Sequence, residues 1–438
     1  MRCGILTYHF VGNEGALWQA HALCHYLRAQ FCEHTFEIID YRHATKHQSI
    51  RAMGNPAALA RRESVIAGFM GPERIESDGP GELFQMLKRR YDAVIVGSDV
   101  VWQFDRPRSF FSRWRAAGEK VGGLRPSRQS AYAYARDVKN WGRRIWQAAT
   151  RPDPRRIPFP NAYWLSPELP QRKAAFAVSI GYSNYRRIPA ALRETMRHYL
   201  EAFDFISVRD QSTQSFLAAV DARLGQRAQL TPDPAWLFEA ELPDVEGLLR
   251  RFGIEPGRRY AGVLFPPRGF FGERLLQWIM PALRERGFRT VSVIDPNPGT
   301  DIDLASEILT PFEWWSVIRS LDFLFTVRTH PSIAALMYGT PLCNVDITAM
   351  LNRSAHSKSM DMLEAFGLGG VCRFKWNEFT RESVVRCLQE ALDRPWDWEA
   401  IGAQAARNRR RCQETAASMM EKLAGAPPAI VSLGDGRA

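Results

Sequence analysis

The sequence predicts an α/β fold built from two open parallel sheets, one after the other along the chain, facing a cleft. Three observations predict it. Apolar runs of strand length alternate with segments of helical periodicity over the first 100 residues, and again from about Gly257. At 438 residues the chain exceeds what one hydrophobic core usually holds. Its composition, 45% hydrophobic and 24% charged, is that of a globular protein rather than a disordered one.

In order, "CGILTY" is a short strand and "FVGNEG" a loop, after which Ala16, Leu17, Ala20, Leu23, Cys24 and Leu27 recur at helical spacing. "TFEIIDY" is a second strand ending in Asp40, and residues 44–90 read as polar and helical, with breaks at "GNP" and "GPGE". "YDAVIVGSDVVW" is a buried strand running into Gly97-Ser98-Asp99. Beyond residue 156, "KAAFAVSIGYSN" is a strand, "IPAALRETMRHYLEAF" a helix, "DFISVRD" a strand and "SFLAAV" a helix core. "LTPDPAWLF", with its two prolines, leads out of a first Rossmann-like domain spanning 1–238. A second such domain, 239–424, follows as "YAGVLFP", "ERLLQWIMPALRERG", "TVSVID", "PFEWWSVIRSL", "DFLFTVRTH", "PSIAALMYG", "PLCNVDI" and a helical stretch from 379. The end, 425–438, reads as a flexible tail.

The formal net charge of +11 is concentrated. Residues 105–156 hold fourteen Lys or Arg against four acids, with Phe110, Phe111, Trp114, Tyr132, Tyr134, Trp141 and Trp146 interleaved. Such a basic insertion suits nucleic acid, an acidic glycan, or the anionic surface of a membrane; a solvated surface insertion gives the same pattern. No apolar run approaches the roughly 18 residues of a spanning helix. The start "MRCGILTYHF" turns polar too soon for a signal peptide. The expectation is a cytoplasmic protein, peripheral at most to the inner face of a membrane. Seven cysteines stand singly without a CxxC, so reduced thiols are expected and a metal site is not. His21 and His25, one helical turn apart, read as structural.

Ligands of open α/β sheets bind outside the carboxyl ends of the strands, and four such ends carry polar chemistry. In "FVGNEGALWQA", Asn13, Glu14 and Gly15 open a helix whose free amides suit an anion or a sugar hydroxyl, with Asn13 as a simple cap the alternative. Ser98 and Asp99, with Trp102 behind them, could orient an acceptor hydroxyl and stack on a sugar, or cap a helix and fill the core. Arg209 in "ISVRDQST" could fork onto a phosphate or carboxylate, or, with Asp210, form a neighbourhood paired with surface carboxylates. In "FTVRTHPSIAALMYGTP", Arg328 and His330 alternate along the strand to one side, and Pro331 and Ser332 leave free amides at the next helix start. A two-Rossmann glycosyltransferase that uses a nucleotide sugar would carry a glutamate about five residues before the Gly of this last segment; here it is Ala334.

Taken together, "GILTYH…GNEGALWQAHAL", "EIIDYR", "DAVIVGSDVVW", "DFISVRDQST", "DPAWLF" and "FTVRTHPSIAALMYGTPLC" resemble the polysaccharide pyruvyl transferase family. The resemblance implies a fold like that of two-Rossmann (GT-B) glycosyltransferases. It also implies phosphoenolpyruvate as co-substrate, a pyruvyl ketal on a glycan, lipid-linked glycan or small-molecule acceptor, and neither metal nor cofactor. By that resemblance His330 is the general acid, Arg209 and Arg328 hold the donor with Ser332 beside them, and Asn13, Glu14, Gly15, Ser98, Asp99 and Trp102 face the acceptor. Many relatives have Gln at Val100 and Ser-Phe-His-Gly over 328–331, so the Arg-x-His form matches the ketal-forming branch. The rival readings are a nucleotide-sugar glycosyltransferase and a non-catalytic protein that binds anions or nucleic acid.

Overall fold

The computed structural model describes residues 1–10, 13–53, 55–104, 159–181, 183, 185, 188–266, 270–346, 358–369, 374 and 378–425. The chain divides into two compact units, 1–103 with 161–438, and 104–160. The basic insertion 105–156 and the tail from 426 lie outside the described residues.

In the larger unit, β1 (Arg2–Leu6), β2 (Thr35–Arg42), β3 (Met70–Glu76), β4 (Ala93–Asp99), β5 (Arg172–Val178), β6 (Phe205–Val208) and β7 (Gln229–Leu230) form one parallel sheet, ordered β3-β2-β1-β4-β5-β6-β7. A second parallel sheet, ordered β10-β9-β8-β11-β12, comprises β8 (Arg259–Leu264), β9 (Phe288–Ser292), β10 (Ile302–Asp303), β11 (Phe323–Thr326) and β12 (Leu342–Asn344). In both, the order reverses beside the first strand, which opens a crevice at the strands' carboxyl ends. The central strands are buried on both faces, and their near-continuous Val, Ile, Leu and Ala runs are the sequence form that burial takes.

Three helices position the site. The first, α1 (Glu14–Gln30), starts at the carboxyl end of β1, where the Asn13 side chain accepts the Gly15 N–H at 3.1 Å. The second, α2 (Pro56–Glu63), begins on Asn55 as cap with Pro56 in its first turn. The third, α3 (Thr329–Tyr338), follows β11 and ends on Gly339, whose φ of 80° suits a residue without Cβ. Its Ile333, Ala334, Ala335 and Leu336 are buried.

Three expectations are revised. Residues 44–90 are not wholly helical, for β3 adds an edge strand beside β2. The strand expected to run through "DFLFTVRTH" stops at Thr326, whose hydroxyl accepts the Arg328 N–H at 3.1 Å and turns the chain into α3. Arg328 is therefore the helix cap and His330 lies in the first turn, so the two do not share a strand face. The last helix, α4 (Trp398–Ala424), packs against the first sheet although it follows the second in sequence. Its Cys412, Ala416, Met419, Met420 and Leu423 are buried, and Thr415 Oγ1 meets Thr231 Oγ1 at 3.1 Å. Among the described residues no helix is long and apolar enough to cross a membrane.

Candidate active site

The polar strand ends of both sheets converge on Asp233. This residue caps the short 3-10 helix Pro234–Leu237, with Oδ1 accepting the Ala235 N–H at 3.0 Å. That bond aims Oδ2 at Arg209 Nη1, with which it makes a short hydrogen bond, and at His330 Nε2, 3.3 Å away. The His330 contact lacks the alignment of a hydrogen bond, and it is an ion pair only when the imidazole carries a proton. Burial alone would push the Asp233 carboxyl upward, but facing His330 and Arg209, with the hydrogen bonds it accepts from Arg209 and the Ala235 N–H, hold it well below the usual carboxylate range. At neutral pH an ionised carboxylate thus stands beside the imidazole.

Arg209 leaves the end of β6 almost wholly buried, its side chain 6% exposed. Besides Asp233 it reaches Asp99 Oδ1 at 3.3 Å and Gln19 Oε1 at 3.4 Å, and among the described residues its Nε has no hydrogen-bond partner. It is not the freely presented anion fork that the sequence suggested, since two buried carboxylates clamp it. Asp99 sits at φ 76°, a backbone region uncommon for residues other than glycine and concentrated at functional sites. Ser98 is buried, with its hydroxyl unpartnered among the described residues, while its carbonyl accepts from Thr7 at 3.3 Å.

The α1 start fits closely against His330. A Cβ on Gly15 would lie 2.1 Å from His330 Nδ1, so only glycine permits this approach. Beside it Glu14, 2% exposed, pairs with Arg62 Nε of α2 at 3.1 Å. On the second sheet Arg328 Nη2 pairs with both oxygens of Asp295, at 2.8 and 2.7 Å. Burial pushes Glu14 and Asp295 above their ordinary values, only partly offset by those arginines. A cavity of about 410 Å³, lined in part by Arg209, Asp233, Trp236, Thr329, Ile333 and Arg411, opens next to this constellation.

Of the residues singled out in the sequence, the structure brings together His330, Arg209, Asp99 and Gly15, with Glu14 and Arg328 in an adjoining charged group. It does not bring Trp102 or Ser332 to that space. Trp102 is fully buried, stacked on Trp164 with ring centroids 5.2 Å apart and donating to the Tyr163 carbonyl at 3.2 Å, so the expected sugar-stacking indole is core. Ser332 is also fully buried; its hydroxyl donates to the Arg328 carbonyl at 2.9 Å and accepts from Asn344 at 2.8 Å. It shapes the turn and offers no donor to a ligand. Asn13 is the cap of α1. The aromatic surface near Asp99 comes instead from Tyr8, whose ring is 4.9 Å from that of Tyr163 and carries the Lys46 ammonium at 4.5 Å. Burial, reinforced by Asp99, pushes the Tyr8 hydroxyl well up.

Sequence reasoning missed Asp233, Gln19, Arg62 and Asp295. Asp233 had a visible signal, because Asp followed by Pro is a helix-start signature, and Asp295 ends the apolar run "TVSVID". Gln19 and Arg62 had none, since each matters only through what the fold places beside it.

Two parallel sheets with a polar crevice between their strand ends define a GT-B-like α/β protein, and solved structures agree. The chain is similar to the S. aureus MnaA–UDP co-structure (11% identity, 98% of this chain and 99% of that one, TM-score 0.52). It is similar also to UDP-GlcNAc 2-epimerase from Methanocaldococcus jannaschii (8%, 95% and 99%, 0.51) and a putative UDP-N-acetylglucosamine 2-epimerase from Listeria monocytogenes (10%, 98% and 99%, 0.50). At such identities the likeness concerns the fold. A comparison with curated protein sequences gives no match. The family profile "Polysaccharide pyruvyl transferase" matches residues 13–347, most of the chain, and the chain belongs to the polysaccharide pyruvyl transferase family.

Proposed function

We propose that the protein transfers the three-carbon unit of phosphoenolpyruvate to two hydroxyls of a glycan or glycan precursor, forming a ketal and releasing phosphate. The observation that carries the reading is the contact of His330 with the buried, ionised Asp233, beside Arg209 and Arg328 in a chain of this family. His330 delivers a proton to C3 of the enolpyruvyl group, and Asp233 steadies the imidazolium before transfer. C2 then bonds one acceptor oxygen and, as its bond to the phosphate oxygen breaks, a second. One hydroxyl proton returns to His330 and the other leaves with phosphate, so the atoms balance. Arg328 favours the donor's anionic groups while Arg209 holds Asp233 and Asp99 in place, and Asp99 is poised to accept a hydrogen bond from an acceptor hydroxyl. Tyr8 supplies the aromatic face expected of Trp102. The nucleotide-sugar reading finds no support at Ala334, which is fully buried and offers no carboxylate to a ribose.

The test is phosphate release from phosphoenolpyruvate over a panel of sugar diols and lipid-linked glycans. The expected outcome is acceptor-dependent release that falls at least a hundredfold in His330→Ala, the scale of losing a general acid. An active preparation in which His330→Ala leaves the rate unchanged removes His330 from the mechanism.

A further inference from the structure

Arg62 belongs to no motif, yet it is placed as a ligand-binding residue would be. Its Nε is tied to the buried carboxylate of Glu14 at 3.1 Å, and its side chain is 24% exposed. Among the described residues it makes no hydrogen bond, so its terminal N–H groups are uncommitted. Arg328 has the same design from the other sheet: Nη2 is held by Asp295, its side chain is 31% exposed, and among the described residues its Nε and Nη1 make no side-chain hydrogen bond. Glu14 lies within electrostatic reach of both arginines, and so does Asp295. The four therefore form one group that spans the crevice. A second observation points the same way: α3 begins on Arg328 without a side-chain cap, so its first amides lack the partner that α1 and α2 have.

We propose that Arg62 and Arg328 together grip the two anionic groups of a small polyanionic donor, with Arg62 the half of the anion site supplied by the first sheet. The donor's identity rests on the phosphoenolpyruvate reading; the binding of a small anion does not. Each guanidinium is pre-oriented by its carboxylate, which lowers the ordering cost of a bidentate contact. Glu14 and Asp295, pushed upward by burial, take up protons readily when further negative charge arrives. The arginines' charge is then released to the ligand. Arg61, the preceding residue, is engaged elsewhere, pairing with Glu313 at 2.7 Å on an exposed edge.

Inorganic phosphate and phosphoenolpyruvate are titrated calorimetrically into the full-length protein and into Arg62→Gln, Arg62→Lys and Arg61→Ala, each first checked for an unchanged circular dichroism spectrum. The expected result is about tenfold or greater weakening of both ligands in Arg62→Gln, the scale of a lost charge-assisted hydrogen bond. Arg62→Lys should recover part of the loss, and Arg61→Ala should match the parent. In turnover, Arg62→Gln raises KM for phosphoenolpyruvate by a similar factor while KM for the acceptor stays put. Phosphate affinity within twofold of the parent in Arg62→Gln, an equal loss in Arg61→Ala, or no phosphate binding by the parent overturns the inference. Phosphate binding that follows this pattern without turnover of phosphoenolpyruvate overturns the donor reading and leaves the anion site standing.

Discussion

Replacing Asp233 with Asn keeps its size and removes the charge shared by His330 and Arg209. Breaking such a buried group by removing one partner costs about 3 kcal/mol or more, because Arg209 is left under-compensated at 6% exposure. The sign with pH follows from the depressed folded-state value of Asp233. Its contribution is complete above the ordinary aspartate value of about 4 and is lost as pH falls through its lower folded-state value. The gap in denaturation midpoint between Asp233→Asn and the parent should thus be widest at neutral pH and narrow in acid. A gap independent of pH would mean that Asp233 is not ionised in the fold. Phosphate release in the variant should drop by about tenfold or more, since an Asn dipole holds a cationic imidazole less firmly.

At the scale of elements, the proposed chemistry requires the start of α1 to approach the start of α3 closely. Gly15 sets that approach, since its missing Cβ is the space His330 occupies. Gly15→Ala gains helix propensity, by up to about 1 kcal/mol at an interior position, yet it must push the imidazole off Asp233. The expected variant is less stable than the parent, because the added Cβ also lies 2.3 and 2.7 Å from His330 Cγ and Cβ, and it loses phosphate release by about a hundredfold. Parental activity would show that the ring moves freely and that its fit against α1 is incidental. The β11–α3 junction makes the same point. Thr326 ends the strand by taking the Arg328 N–H, and that local bond rather than strand alternation aims Arg328 and His330 at different carboxylates.

Across the whole molecule the two halves meet in an aromatic seam around His21, whose ring lies 4.9 Å from Phe69, 5.8 Å from Phe238 and 4.8 Å from Phe312 of the second half. Burial, and after it His25, lower the His21 value from 6.5 to about 4. Between those values the unfolded chain binds a proton that the folded chain refuses, so stability should fall as pH drops from about 6.5 to 4, by about 3 kcal/mol at most. Thermal midpoints of His21→Phe should be flatter over that range than those of the parent. Equal slopes would assign the acid loss elsewhere. The two sheets were legible in the sequence because burial on both faces leaves near-continuous apolar strands, and the set of strand-end polar residues was legible because open α/β sheets put ligands there. What stayed hidden depended on long-range placement. Trp102 sits at a strand end as Asp99 does, and only the stacking of Trp164 upon it, far along the chain, shows it to be core. Arg62 and Gln19 join the candidate site through neighbours that no local pattern announces. The last helix, α4, carries that dependence to its limit. The sheet that starts at Arg2 receives Cys412, Ala416, Met419 and Leu423 into its core only when the ribosome has passed residue 424. The first half of the chain must therefore wait, incompletely covered, while the second half is made. A chaperone meeting the nascent chain would find its first sheet still open along the surface that α4 later closes.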